Sequence, residues 1–139
     1  MRLTHGAAAV VLVVGVASSC AVSGSSGAGS CPAPEVSAPS TATTGEVIEF
    51  TARHLVVECH DTGQRDFTPE PLTGLEEKLV VDGVDHAFDY VEPLDADASG
   101  KLSAQVQIPE DLAPGAKVKV GVSANGVDYL SAPITIVEK

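Results

Sequence analysis

From Ile48 onward the apolar residues of this chain recur at every second position, and that rhythm rules out most folds at once. Ile48, Phe50 and Ala52 alternate with Glu49, Thr51 and Arg53. Leu102, Ala104, Val106 and Ile108 alternate with Lys101, Ser103, Gln105 and Gln107, and Val118, Val120, Val122 and Ala124 with Lys117, Lys119, Gly121 and Ser123. Successive side chains of an extended strand point to opposite faces, so each run has one dry side and one wet side. Further strands are expected at Leu79-Val80-Val81, Ala87-Phe88-Asp89-Tyr90-Val91 and Ile134-Thr135-Ile136-Val137, with a short one near Glu35 to Ser37. Only residues 71–79 are ambiguous between strand and helix. Turn chemistry separates the runs: Asp82-Gly83, Ser99-Gly100, Pro114-Gly115 and Asn125-Gly126, of which Asn-Gly between alternating segments is the strongest hairpin signal. About seven short strands with regular turns predict an all-β, antiparallel β-sandwich.

The N-terminus has a different character. Arg2 supplies a positive start, residues 7–17 (AAAVVLVVGVA) are unbroken apolar and small residues, and Ala17-Ser18-Ser19-Cys20 follows. Such a run is short of the ~20 apolar residues a membrane-spanning helix needs, and matches a secretory signal with a small-residue cleavage site. The residues before Cys20 resemble the lipobox of bacterial lipoproteins, cut just before a cysteine that carries diacylglycerol. Ala17 stands where that pattern usually has Leu, Val or Ile. Ordinary secretory cleavage after Ser19 or Ala21, releasing a soluble protein, is the alternative. The resemblance implies palmitate-type acylation of Cys20 and a place on the extracytoplasmic face of the cell membrane.

Three cysteines are an awkward number outside the cell. With Cys20 acylated, Cys31 and Cys59 remain as one pair, and a disulfide closing so long a loop contributes about 3–4 kcal/mol on a chain-entropy basis. Residues 21–30 (AVSGSSGAGS) form a Gly/Ser/Ala tether with an r.m.s. reach of roughly 17–19 Å. The expected organisation is a signal peptide over 1–19, a lipidated cysteine and linker over 20–33, and a sandwich over 34–139.

Charge narrows the partners. Removing residues 1–19 takes away only Arg2, leaving seven basic and nineteen acidic side chains, a formal net charge of −12. Nucleic-acid affinity comes largely from cationic contacts to phosphate, so nucleic acid is not expected. Electrostatic docking on anionic lipid is disfavoured too, which leaves the covalent lipid to hold the chain at a membrane. The same acidity also serves simply to keep a surface protein soluble.

Asp97-Ala98-Ser99-Gly100-Lys101-Leu102-Ser103-Ala104, Val106-Gln107-Ile108-Pro109 and Leu112-Ala113-Pro114-Gly115-Ala116-Lys117-Val118 resemble bacterial immunoglobulin-like domains of surface proteins and lipoproteins from high-GC Gram-positive bacteria. Cys31-Pro32, Thr44-Gly45-Glu46 and Cys59-His60-Asp61-Thr62-Gly63 resemble the first half of the same domains, where a cysteine pair staples the leading segment to a loop. The resemblance implies a fold and a location, not an activity. The core tryptophan of antibody domains is absent.

Chemistry-bearing motifs are few. Asp95-Ala96-Asp97-Ala98-Ser99-Gly100 fits the first six places of an EF-hand loop, but the twelfth is Val106 and the segment runs into an alternating strand, so a turn is expected instead. The mature histidines are His54, His60 and His86, with Cys59-His60-Asp61 adjacent. Blue copper needs an axial methionine or a substitute, and zinc needs four well-spaced ligands. No metal or cofactor is expected. No Gly-x-Ser-x-Gly elbow occurs. The paired carboxylates Glu76-Glu77 and Glu110-Asp111 are neighbours, which a strand sends to opposite faces.

The long irregular segment 59–74 carries Arg65 and Phe67. Together with His54, His60 and Asp61 these are the candidate partner or ligand contacts, Phe67 having core packing as its alternative. The expected function is a non-catalytic, lipid-anchored surface module for interaction with an unknown surface protein or for envelope architecture. Alternatives are a metal- or small-ligand-binding lipoprotein using His54, His60, Asp61 or the turn from Asp95 to Ser99, and a cryptic hydrolase.

Overall fold

A computed structural model describes residues 32–57, 68–88 and 91–139. Among these described residues nine strands form two packed sheets. They are β1 (Glu35–Ser37), β2 (Thr41–Thr43), β3 (Val47–Arg53), β4 (Glu76–Val81), β5 (Val84–His86), β6 (Leu102–Gln107), β7 (Lys117–Ala124), β8 (Val127–Leu130) and β9 (Ile134–Val137). The smaller sheet has the order β1-β3-β6; the larger runs β2-β9-β7-β4-β5, with β8 also paired to β7.

Alternation sets the two inner faces. Along β3 exposed and buried residues alternate without a fault, so Ile48, Phe50 and Ala52 enter the core while Glu49, Thr51 and Arg53 stay in water. Leu102, Val106 and Ile108 flank them from the β6 side. The larger sheet answers with Leu79, Val118, Val120, Val122, Ile134 and Ile136, none more than 1% exposed. Aliphatic residues fill this interior around Phe50, the one fully buried aromatic ring among the described residues.

Two expectations need correction and one ambiguity is resolved. Of the strand expected over residues 87–91, Ala87, Phe88 and Val91 are not in a strand and the other two lie outside the described residues; the strand that follows β4 is Val84–His86, because the Asp82-Gly83 turn is only two residues long and pairing with β4 resumes at once, Val81 opposite Val84. Asp82 and Gly83 both have positive φ, 47° and 83°, the type I′ geometry that matches strand twist. Pairing is also not wholly antiparallel: β2 runs parallel to β9, Thr41 opposite Thr135 and Thr43 opposite Val137. Residues 71–79, ambiguous in sequence, hold no helix: Pro71 is bridged to Val56 and Leu75 to Leu94, Gly74 between them turns the chain at a φ of 65°, and β4 begins at Glu76.

The two ends of the sandwich differ. At one end lie the start of β1, the end of β3, the Asp97 turn and the Asn125-Gly126 hairpin; Glu35 pairs with Arg53, and Leu55 N–H bonds the Gly100 carbonyl at 2.9 Å. At the other lie Gly45, bonded to Ile108 at 3.0 Å, the Asp82 turn, whose N–H bonds Lys117, and the end of β9.

Candidate functional site

The edge of the larger sheet carries a gap. β4 pairs with β5 as far as Leu79 opposite His86, and Leu75 then bonds Leu94 in both directions at 2.8 Å. Three residues, Glu76, Glu77 and Lys78, separate those two points on β4, whereas the facing chain takes residues 87–93 to cover the same distance. Beside this edge lies a cleft of about 450 Å³ lined by Glu76, Glu77, Lys78, Asp85, His86 and the apolar Ala87, Phe88, Val91 and Pro93.

Period-two geometry decides what points where. Leu75 and Leu79 are fully buried, so Glu77 between them projects to the core side, opposite the buried Val122 on β7. Its Oε1 is shielded from solvent and has no hydrogen-bond partner among the described residues. Burial pushes the Glu77 carboxyl above its ordinary pKa, because a low-dielectric site disfavours the ion. Lys78 faces the other way. Its ammonium ion pairs with Asp85 and reaches Asp128 at 3.6 Å, and the Asp85 bond, reinforced by both charges, raises its pKa. His86 meets Phe88 edge-to-face, ring centres 6.3 Å apart.

Of the candidate residues read from the sequence, His54 is described. It follows β3 with a positive φ of 62° and is half-buried at the end of the sandwich where β1 begins. Cys20, Cys31, Cys59, His60, Asp61, Arg65 and Phe67 lie outside the described residues, as does the signal segment. Among the described residues no three His, Cys, Asp or Glu side chains converge as a metal site would require, and no helix is long and apolar enough to cross a membrane.

The acidic stretch from Asp95 to Ser99 is a turn. Asp97 Oδ1 accepts hydrogen bonds from Ser99 N–H at 2.8 Å, Ser99 Oγ at 2.6 Å and Lys101 N–H at 3.0 Å, while Asp95 Oδ1 accepts from Gly74 N–H at 2.8 Å. The Ser99 hydroxyl first, then the Lys101 and Ser99 amides, hold Asp97 below the usual carboxylate range. Each carboxylate is thus engaged by a different piece of backbone rather than aimed at a common centre.

Glu77 was within reach of sequence reasoning. Adjacent glutamates on a strand must part, one outward and one inward, and the register Leu75, Glu77, Leu79 says which goes in. No protein-family model matches this chain, and no curated protein matches it.

Proposed function

We propose that the chain is a non-catalytic, lipid-anchored module of the cell surface, built on an immunoglobulin-like sandwich and serving protein interaction or envelope architecture. Strand order supports the fold reading. β1, β3 and β6 correspond to strands A, B and E of the immunoglobulin arrangement, and β4, β7 and the β8–β9 segment to C, F and G. β5 stays beside β4, as the C′ strand of variable-type domains does.

The observation that carries the surface reading is where the chain enters the domain. Glu35 starts β1 beside Arg53, at the same end as the Asp97 turn, so a tether running from Cys20 suspends the sandwich by that end alone. The opposite end, with Glu46, Asp82, Pro114 and the last residues of β9, is then held away from the membrane. Residues 32–35 and 55–57, which flank Cys31 and Cys59, share the tethered end, an arrangement compatible with a disulfide between them.

Two measurements test this reading. Mass spectrometry of the protein from its host is expected to show a mature chain that begins at acylated Cys20, two hydrogens lighter than the reduced form. A photo-crosslinking residue at Asp82 or Pro114 is expected to capture a specific neighbour in the native envelope. An unacylated, released chain removes the anchor. Failure to recover any neighbour from either position removes the interaction role.

A further inference from the structure

We propose that β6 is a docking edge for a second copy of this chain, the two β6 strands pairing antiparallel about a twofold axis at Gln105 and joining the two smaller sheets into one continuous sheet. The inference goes beyond the surface-module reading and does not need the lipid anchor.

β6 ends the smaller sheet, with β3 on one side and no strand on the other among the described residues. Register decides which of its backbone groups are left over. The Ile108 N–H bonds the Glu46 carbonyl at 2.8 Å, so Leu102, Ala104 and Val106, an even number of residues away, also turn their amides and carbonyls toward β3. Ser103, Gln105 and Gln107 turn theirs outward, and these groups have no partner among the described residues. Lys101 has the same orientation, but the Asp97 turn takes both its groups: Asp97 N–H donates to its carbonyl at 2.7 Å, and its own N–H donates to Asp97 Oδ1 at 3.0 Å. An open edge is a template for another strand, and proteins usually blunt it by brevity, charge or proline. β1, β2 and β5 are three residues each, and β1 and β5 carry Glu35 and Asp85. β6 has six residues, none of them charged, proline or glycine.

The edge is complementary to itself. Pairing centred on Gln105 sets Gln105 against Gln105, and Ser103 against Gln107 of the other copy, so every outward amide and carbonyl of the three residues finds a partner. The same register sets Ala104 against Val106 and Leu102 against Ile108 on the core side, apolar against apolar. Past the ends of the seam, Lys101 of each copy comes beside Pro109 and Glu110 of the other, so opposite charges meet at both ends. The net charge of −12 opposes association, but at physiological salt exposed charges more than ~8 Å apart are largely screened. Glu49, opposite Gln105 on β3, is already engaged by Ser103 Oγ at 2.8 Å. Because the paired strands run in opposite directions, the two chain entries lie at opposite ends of the pair, and copies anchored in one bilayer pair lying on their sides.

The test is sedimentation equilibrium of the mature protein in density-matched detergent. The mass is expected to rise from one chain to two with concentration, with a dissociation constant on the order of 0.1 mM, as suits a small interface. Gln105→Lys puts like charges face to face at the twofold axis and is expected to weaken pairing at least about tenfold. It leaves the bonds to β3 in place, and an unchanged thermal midpoint at low concentration checks that the fold is kept. Gln105→Cys stands within disulfide reach of its counterpart, because hydrogen-bonded residues across an antiparallel pair lie about 5.5 Å apart between Cα atoms. It is expected to give a covalent dimer under mild oxidation, whereas Glu49→Cys, one strand further from the axis, is not. Three results overturn the proposal: a one-chain mass throughout, a doubled mass that Gln105→Lys leaves intact, or crosslinking through Glu49→Cys as readily as through Gln105→Cys. The photo-crosslinks at Asp82 and Pro114 test the surface module and not this edge, because neither residue lies on β6.

Discussion

At the scale of single residues, the buried Ser131 and the partly buried Glu77 have opposite standing. Ser131 is buried, and its hydroxyl is used twice, accepting from Val120 N–H at 3.2 Å and donating to the Ala132 carbonyl at 2.8 Å. It stands where the edge of β7 passes from β9, paired at Lys117 and Val118, to β8, which begins pairing at Gly121. Ser131→Ala would strand a buried amide, and a loss of about 1–3 kcal/mol is expected in urea unfolding, with faster hydrogen exchange at Val120. Glu77 is the converse case. Its raised pKa means that the native state holds the proton more tightly than the unfolded chain does. Stability therefore declines as pH climbs from the ordinary value of 4.5 through the raised one. Glu77→Gln removes that decline. It is expected to melt above the parent protein near neutral pH, the two curves converging below about pH 4, where both side chains are uncharged.

At the scale of elements, most strands are legible because their alternation is strict: β3, β6, β7 and β9 begin and end within a residue or two of where the pattern puts them. What the pattern hides has physical causes. β2 is three residues, too short for a rhythm, and exists because β9 offers it a parallel edge. β5 carries no buried side chain at all, so nothing in its own sequence announces it; the tight turn before it fixes its place. The cleft was illegible for a related reason, since a gap between two paired points is a property of register and not of any one segment. Turns, by contrast, can be read down to single positions. Asn125 and Gly126 have φ of 51° and 78°, and a methyl group on Gly126 would touch nothing, so Gly126→Ala should cost only the backbone strain, about 1–2 kcal/mol. Gly100 at φ 72° adds a packing conflict, because a Cβ there would lie 2.9 Å from Val56 Cγ1 and 3.3 Å from the Leu55 backbone. Gly100→Ala is expected to cost at least about 1 kcal/mol more than Gly126→Ala in thermal unfolding.

At the scale of the whole molecule, the parallel β2–β9 ladder ties the leading part of the domain to its final strand. Ile134 and Ile136 sit in the core, and Thr135 N–H reaches back to the Ser40 carbonyl at 3.0 Å. β2 has its pairing from β9 among the described residues, so anything that loosens the last strand also releases the segment that leads into β3.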